Sequence, residues 1–324
     1  MFYLLYKFKF LQSAVLLIAS AFFCFVLFHN PLTFSYYDAF LPFAGYLAAS
    51  IAAHEFLYKF LILGTALLAG VLLYRFFSKG NLTDSSCLFP VSWFLIFITG
   101  GGIFLPLSPV FITNLAILLL MNFNGDFHSE RGKSQILFSG VVIGLATLYD
   151  LAALWLLVFI VCALIINHYG KFSDIMAVFI GFLLPYIYTF SIHFLSGTLT
   201  EYASSFSQIR LDFPLFHLSK NHVVIWISLA VFVALFPYLI FKLKMWYDNK
   251  LIIIRKRFLS MVLLAIATIA MILTSNVPFP YSMGYLAIPL SIFFSAFVPS
   301  KRVYPSREIT LVLMTAAFIL MCRW

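Results

Sequence analysis

Charge is what this chain has least of. Asp, Glu, Lys and Arg together make up 10% of its 324 residues, against about a quarter in a soluble domain. No stretch is polar enough to form a separate soluble unit, so residues 1–324 read as a single domain. Cysteine is scarce as well. Cys24, Cys87, Cys162 and Cys322 have no paired spacing and no Cys-x-x-Cys, and two of them fall inside apolar runs, which argues against a disulfide framework or a zinc site. Two catalytic motifs fall short. His54-Glu55 lacks the second imidazole of a zinc protease, because Tyr58 stands in its place, and Gly132-Lys133-Ser134 lacks the earlier glycine of a phosphate loop, where Phe127 stands. The first apolar run, preceded by Lys7 and Lys9, ends in no small-x-small cleavage site. It reads as an uncleaved signal anchor.

What is present is long apolar blocks. Apolar residues account for 64% of the chain, including 40 Phe and 17 Tyr, and about 20 consecutive apolar residues cross a hydrocarbon core. The pattern predicts an all-α, polytopic integral membrane protein with about 10–11 transmembrane helices, placed near 11–28, 56–77, 88–105, 110–123, two within 136–166, 175–195, 223–241, 258–274, 283–298 and 309–321. The 136–166 block is too long for one crossing and short for two, and Asp150 in its middle marks the expected turn. With the N-terminus cytoplasmic, all of the 20 Lys and Arg except Lys59, Arg210, Lys220 and Arg323 fall on the inner side, as the positive-inside rule requires. The net charge of +9 therefore reports topology, with membrane lipids as the implied partners and no nucleic acid. The inner loop 242–257, with six basic residues beside Trp246 and Tyr247, also has the composition that binds anionic headgroups.

The outer side then collects Asp38, Glu55, Asp150, Glu201 and Asp212 with His29, His54, His193, His217 and His222. Acids and imidazoles on one face suit proton transfer or cation recognition; they are equally what remains when outer loops exclude Lys and Arg. Two acids are the candidate catalytic residues. Asp38 lies among Tyr36, Tyr37 and Phe40, where desolvation favours a general base, or where an aromatic belt points one acid at water. Asp150 has no polar neighbour in Tyr149-Asp150-Leu151-Ala152; it is either a functional acid at membrane depth or a solvated turn residue. His54, Glu55, Glu201 and Arg210 are the candidate substrate-binding residues. Leu199, Tyr202, Phe206 and Ile209 recur at helical spacing opposite Glu201, Ser204, Ser205 and Gln208, predicting an amphipathic helix on the outer surface. Gly140 and Gly144 form a small-xxx-small step, which predicts close helix packing. No residue set is assigned to a metal, and the cofactor is left open.

Two resemblances rest on these motifs. Gly140-Val-Val-Ile-Gly144-Leu-Ala-Thr-Leu148 resembles a step recurring in GT-C type glycosyltransferases, polytopic enzymes that use polyprenyl-phosphate sugars outside the cytoplasmic membrane. That resemblance implies a GT-C-like bundle, a polyprenyl-linked sugar as ligand and a catalytic carboxylate in the first outer loop, where Asp38 stands. Many such enzymes carry a paired Asp-Glu there, and this chain does not. A broader likeness runs through Leu105-Pro-Leu-Ser-Pro109, Asn114-Leu-Ala116, 140–148, Gly181-Phe-Leu-Leu-Pro185-Tyr186 and Ile288-Pro-Leu-Ser-Ile-Phe-Phe294. Together these stretches resemble a family of Bacteroidota inner-membrane proteins labelled domain of unknown function 6427, which implies a bacterial envelope protein and brings no activity. The sequence thus leads to a multi-pass protein of the bacterial inner membrane, either a GT-C-like glycosyltransferase in envelope glycan assembly or a non-enzymatic partner subunit of an envelope complex. A transporter ranks below both, because no internal repeat is visible.

Overall fold

The structure, a computed structural model, describes residues 9–29, 55–80, 88–100, 109–124, 132–166, 171–200, 252–275 and 281–297, with single positions between 204 and 237 and most of 309–319. All regular structure among the described residues is helical, and no strand occurs there. The main helices are α1 (Lys9–His29), α2 (Glu55–Gly80), α3 (Phe89–Gly100), α4 (Pro109–Asn124), α5 (Gly132–Tyr149), α6 (Trp155–Ile166), α7 (Phe172–Leu195), α8 (Ile252–Thr274) and α9 (Ala287–Phe297). Two 3₁₀ segments interrupt them, Leu151–Leu154 between α5 and α6 and Tyr281–Leu286 before α9. This is an all-α membrane protein. Three of the described helices, within Gln12–His29, Lys59–Ser78 and Phe172–Leu195, are long and apolar enough to cross a bilayer. Shorter apolar helices occupy Phe89–Thr99, Ser134–Tyr149, Leu151–Ile166, Phe258–Thr274 and Ser282–Ser295.

Side-chain ties fix how the helices run. The Gln12 side chain, at the start of α1, accepts a hydrogen bond from the Leu88 backbone at the start of α3 (3.2 Å), so these two helices begin at one end of the bundle. At the opposite end the Lys59 ammonium lies 5.8 Å from the ring centre of Phe28, which sets the close of α1 beside the opening of α2. Trp93 and Phe97, one turn apart on α3, both meet Phe294 of α9 edge-on at 5.4 Å, so α3 packs against α9. Between α5 and α7 the contacts advance together, Leu137 with Gly181 and Gly144 with Phe182 and Pro185, ending in Tyr186 with Thr147. These helices are parallel, which requires the 151–166 segment between them to lead back across the bundle. The 136–166 block is thus two passes, and the break falls at Asp150.

The core unites α1 to α6 with α8 and α9. Its largest fully buried side chains include Tyr285, Phe23, Phe94, Phe97 and Phe294, and Trp93, Phe97 and Phe294 close into an aromatic triad of the offset and edge-on kind that aromatic quadrupoles favour. Helix α7 lies at the edge of this core, entering it through Val178 with Ala177 and Phe182 packed against it. Its one fully buried apolar side chain is Val178, while Phe179, Ile180, Leu183, Ile187, Phe190 and Phe194 are exposed, and among the described residues it is held almost entirely by α5.

That α5–α7 contact is made backbone to backbone. A Cβ at Gly140 would strike the Val178 carbonyl, one at Gly181 would strike the Leu137 carbonyl, and one at Gly144 would lie 2.5 Å from the Phe182 carbonyl and 3.0 Å from the Pro185 ring. Glycine is therefore required at all three positions. Without a hydrophobic force between helices in lipid, close van der Waals approach of this kind is what joins them.

Candidate functional site: a buried carboxylate where three helix ends meet

Most buried hydroxyls here are satisfied by their own helix. Ser139, Thr268, Ser291 and Ser295 each donate to a carbonyl three or four residues back, the usual way a small polar side chain is accommodated at membrane depth. A group at one end of the bundle departs from this habit, and it gathers around Asp150.

Asp150 ends α5 in an extended conformation (φ −144°, ψ 118°). Its backbone N–H still donates to Ala146 (3.0 Å) and its carbonyl accepts from Ala153 (3.0 Å). Oδ1 accepts from the Ala152 N–H at 3.0 Å, so the carboxylate caps the 3₁₀ turn that redirects the chain. Oδ2 accepts from the Tyr285 hydroxyl and from Ser275 Oγ at 3.3 Å, and the two hydroxyls lie 3.2 Å apart. Asp150 is 7% exposed and Ser275 and Tyr285 are fully buried. One carboxylate thereby joins the close of α5, the close of α8 and the segment that opens α9. Trp155 adds a second tie, donating Nε1–H to Thr274 Oγ1 at 3.1 Å. Tyr186 donates to Thr147 Oγ1 at 2.8 Å, which brings α7 to the same level one turn below Asp150.

The Tyr281–Leu286 segment is held from its other side by α4, where Asn114 Nδ2 donates to the Gly284 carbonyl at 2.9 Å. Asn114 Oδ1 and Ser282 Oγ are buried with no hydrogen-bond partner among the described residues. Among the described residues, no Lys, Arg or His pairs with Asp150; its partners are the hydroxyls and the amide already named. No three His, Cys, Asp or Glu side chains gather as a metal cage among those residues.

Of the residues singled out in the sequence, Asp150 is the one the structure places in full, and it is buried rather than solvated. Glu55 is the first residue of α2. Asp38, His54, Glu201 and Arg210 lie outside the described residues, as do Tyr202, Phe206 and Ile209 of the predicted surface helix. Within that stretch Ser204 is helical and exposed. Next to it His193 caps the end of α7, its Nδ1 2.9 Å from Thr198 Oγ1, with Gly197 in the left-handed region (φ 71°) that ends helices. Ser275, Tyr285 and Ser282 were not singled out in the sequence, and Asn114 entered only as part of a family likeness, with no role. Their one signal is isolation, each a polar side chain at or beside an apolar run with no charged neighbour.

No family model, no curated protein and no solved structure matches the chain.

Proposed function

We propose that the chain is a multi-pass protein of the bacterial inner membrane, with its N-terminus cytoplasmic, that acts at its outer surface on a polyprenyl-linked sugar in the manner of GT-C glycosyltransferases. The observation that supports this reading is the Asp150 centre: a polar junction of three helix ends in an otherwise apolar bundle, on the side that the Lys and Arg distribution assigns to the exterior. In this reading the two acids divide the work. Both Asp150 oxygens are already engaged, so Asp150 is a positioning residue that fixes the outer end of the bundle. Asp38, in the first outer loop, is the base that takes the proton from the acceptor hydroxyl as the sugar is transferred and the polyprenyl phosphate leaves. His54, Glu55, Glu201 and Arg210 contact the donor and acceptor, and the basic inner loops fix topology.

The test is sugar transfer from a radiolabelled polyprenyl-phosphate donor in membranes carrying the protein. Asp38→Asn is expected to lower transfer by roughly 10²–10⁴-fold, the usual worth of a general base, with the protein still present at normal level. Asp150→Asn is expected to lower thermal stability and transfer together. Unchanged transfer in both variants would end the reading.

A second reading, a partner subunit of an envelope complex, draws on α7, whose apolar side chains facing away from α5 are uncovered along the whole helix. Cysteine cross-linking at Ile180 and Ile187 in native membranes separates the two, since a single protein product at both positions favours the subunit and lipid-only labelling favours the enzyme.

A further inference from the structure

Three oxygens at the Asp150 centre close a ring. Asp150 Oδ2 meets the Tyr285 hydroxyl and Ser275 Oγ at 3.3 Å, and those two hydroxyls lie 3.2 Å apart, either able to donate to the other. Each edge of the ring needs one hydrogen. A hydroxyl carries one and an ionised carboxylate none, so an ionised Asp150 leaves at most two hydrogens for three edges. A protonated Asp150 supplies the third. Oδ1 is engaged by the Ala152 N–H, which leaves Oδ2, inside the ring, as the oxygen that takes the proton.

We infer that this ring is a proton-binding site: Asp150 holds a proton on Oδ2 at neutral pH, and that proton completes the tie between α5, α8 and the Tyr281–Leu286 segment. Charge points the same way. The three residues are buried, and a buried acid without a cation neutralises rather than stands ionised. Among the described residues, the ionisable groups around it supply no cation. Helix α5 brings Tyr149, the segment before α9 brings Tyr281 and Tyr285, and α7 brings Tyr186 one turn below, all of them phenols. The 151–154 segment, the start of α6 at Trp155, the close of α8 at Thr274 and Ser275, and Asn114 of α4 bring none. Release of the proton empties one edge of the ring and leaves a buried charge, so the junction is a latch that loosens as pH rises. The unfolded chain, with Asp150 in water, gives up this proton at a lower pH than the folded chain, so the stability this group adds is lost as pH rises between the two. The inference stands independently of the glycosyl-transfer reading.

The experiment is infrared spectroscopy of the full-length protein in an ester-free detergent, where no lipid carbonyl overlaps that of a protonated acid. At neutral pH the difference between wild type and Asp150→Asn is expected to show the carbonyl stretch of one protonated carboxylic acid, giving way to a carboxylate stretch as pH is raised. Tyr285→Phe is expected to keep that band and shift it, because the acid loses a ring partner. If Asp150→Asn does not accumulate, this shift assigns the band. Wild-type Tm is expected to fall over the pH range in which the band disappears, and to fall further than that of Asp150→Asn; equal falls would overturn the latch. A carboxylate stretch for Asp150 at neutral pH would overturn the inference in favour of an ionised acid held by its donors. So would a band that Tyr285→Phe leaves unmoved, since that acid would lie outside the ring.

Discussion

The α5–α7 contact and the Asp150 junction hold the same chain together by opposite means. In the first, three glycines bring two backbones into touch, with the Pro185 ring against Gly144 and one Tyr186–Thr147 hydrogen bond at the end of the contact; the gain is mainly dispersion, and it depends on shape. In the second, one carboxylate gathers two hydroxyls and a backbone amide from segments far apart in the chain, and the gain depends on every polar group keeping its partner. The first tolerates no added atom and the second no lost one. In lipid, where burying apolar surface gives helices no reason to associate, the two devices share the task that a hydrophobic core performs in water.

Substitutions sharpen that contrast. The largest effect is expected from Gly181→Leu, which forces side-chain atoms into the Leu137 carbonyl and should cost at least the upper end of the ~1–3 kcal/mol typical of overpacking, read as loss of monodisperse protein after extraction. Gly64→Ala is its control. Nothing lies within 4 Å of that position in α2, so the better helix former should leave stability unchanged or raise it by up to about 1 kcal/mol. Next comes Tyr285→Phe, which keeps the ring and removes the donor to Asp150. It should destabilise by about 1–3 kcal/mol, the cost of leaving a buried acceptor short, measured as Tm in nanodiscs. Trp155→Phe removes the bond to Thr274 at an exposed position and should cost about 0.6 kcal/mol, the average for such ties within a membrane. If Trp155→Phe proves more damaging than Tyr285→Phe, the ranking of the two polar ties is wrong.

The sequence made the architecture legible where a signal was local. Apolar blocks predicted helices, the lone acid in 136–166 predicted the break that the chain makes at Asp150, and Gly140 with Gly144 predicted a close helix contact. Their partners were not legible. Gly181 lies 41 and 37 residues from those glycines, and it entered the sequence reading as part of a family likeness without a packing role. Ser275 and Tyr285 lie 125 and 135 residues beyond Asp150, and nothing in a run such as Ile-Leu-Thr-Ser275 distinguishes a hydroxyl that bonds its own helix from one that reaches another. Burial of Asp150 was equally beyond local pattern, since a turn between two spans can face water or protein. That choice is made by α8 and the Tyr281–Leu286 segment folding over it.

The central claim is that Asp150 and Tyr285 act as one unit in joining the helix ends. A double-mutant cycle on unfolding, with Asp150→Asn, Tyr285→Phe and the pair, tests it most directly. The account predicts a coupling of about 1 kcal/mol or more between the two positions, within the range for residues of one hydrogen-bonded network. Additivity to within about 0.3–0.5 kcal/mol, as for independent sites, would contradict it.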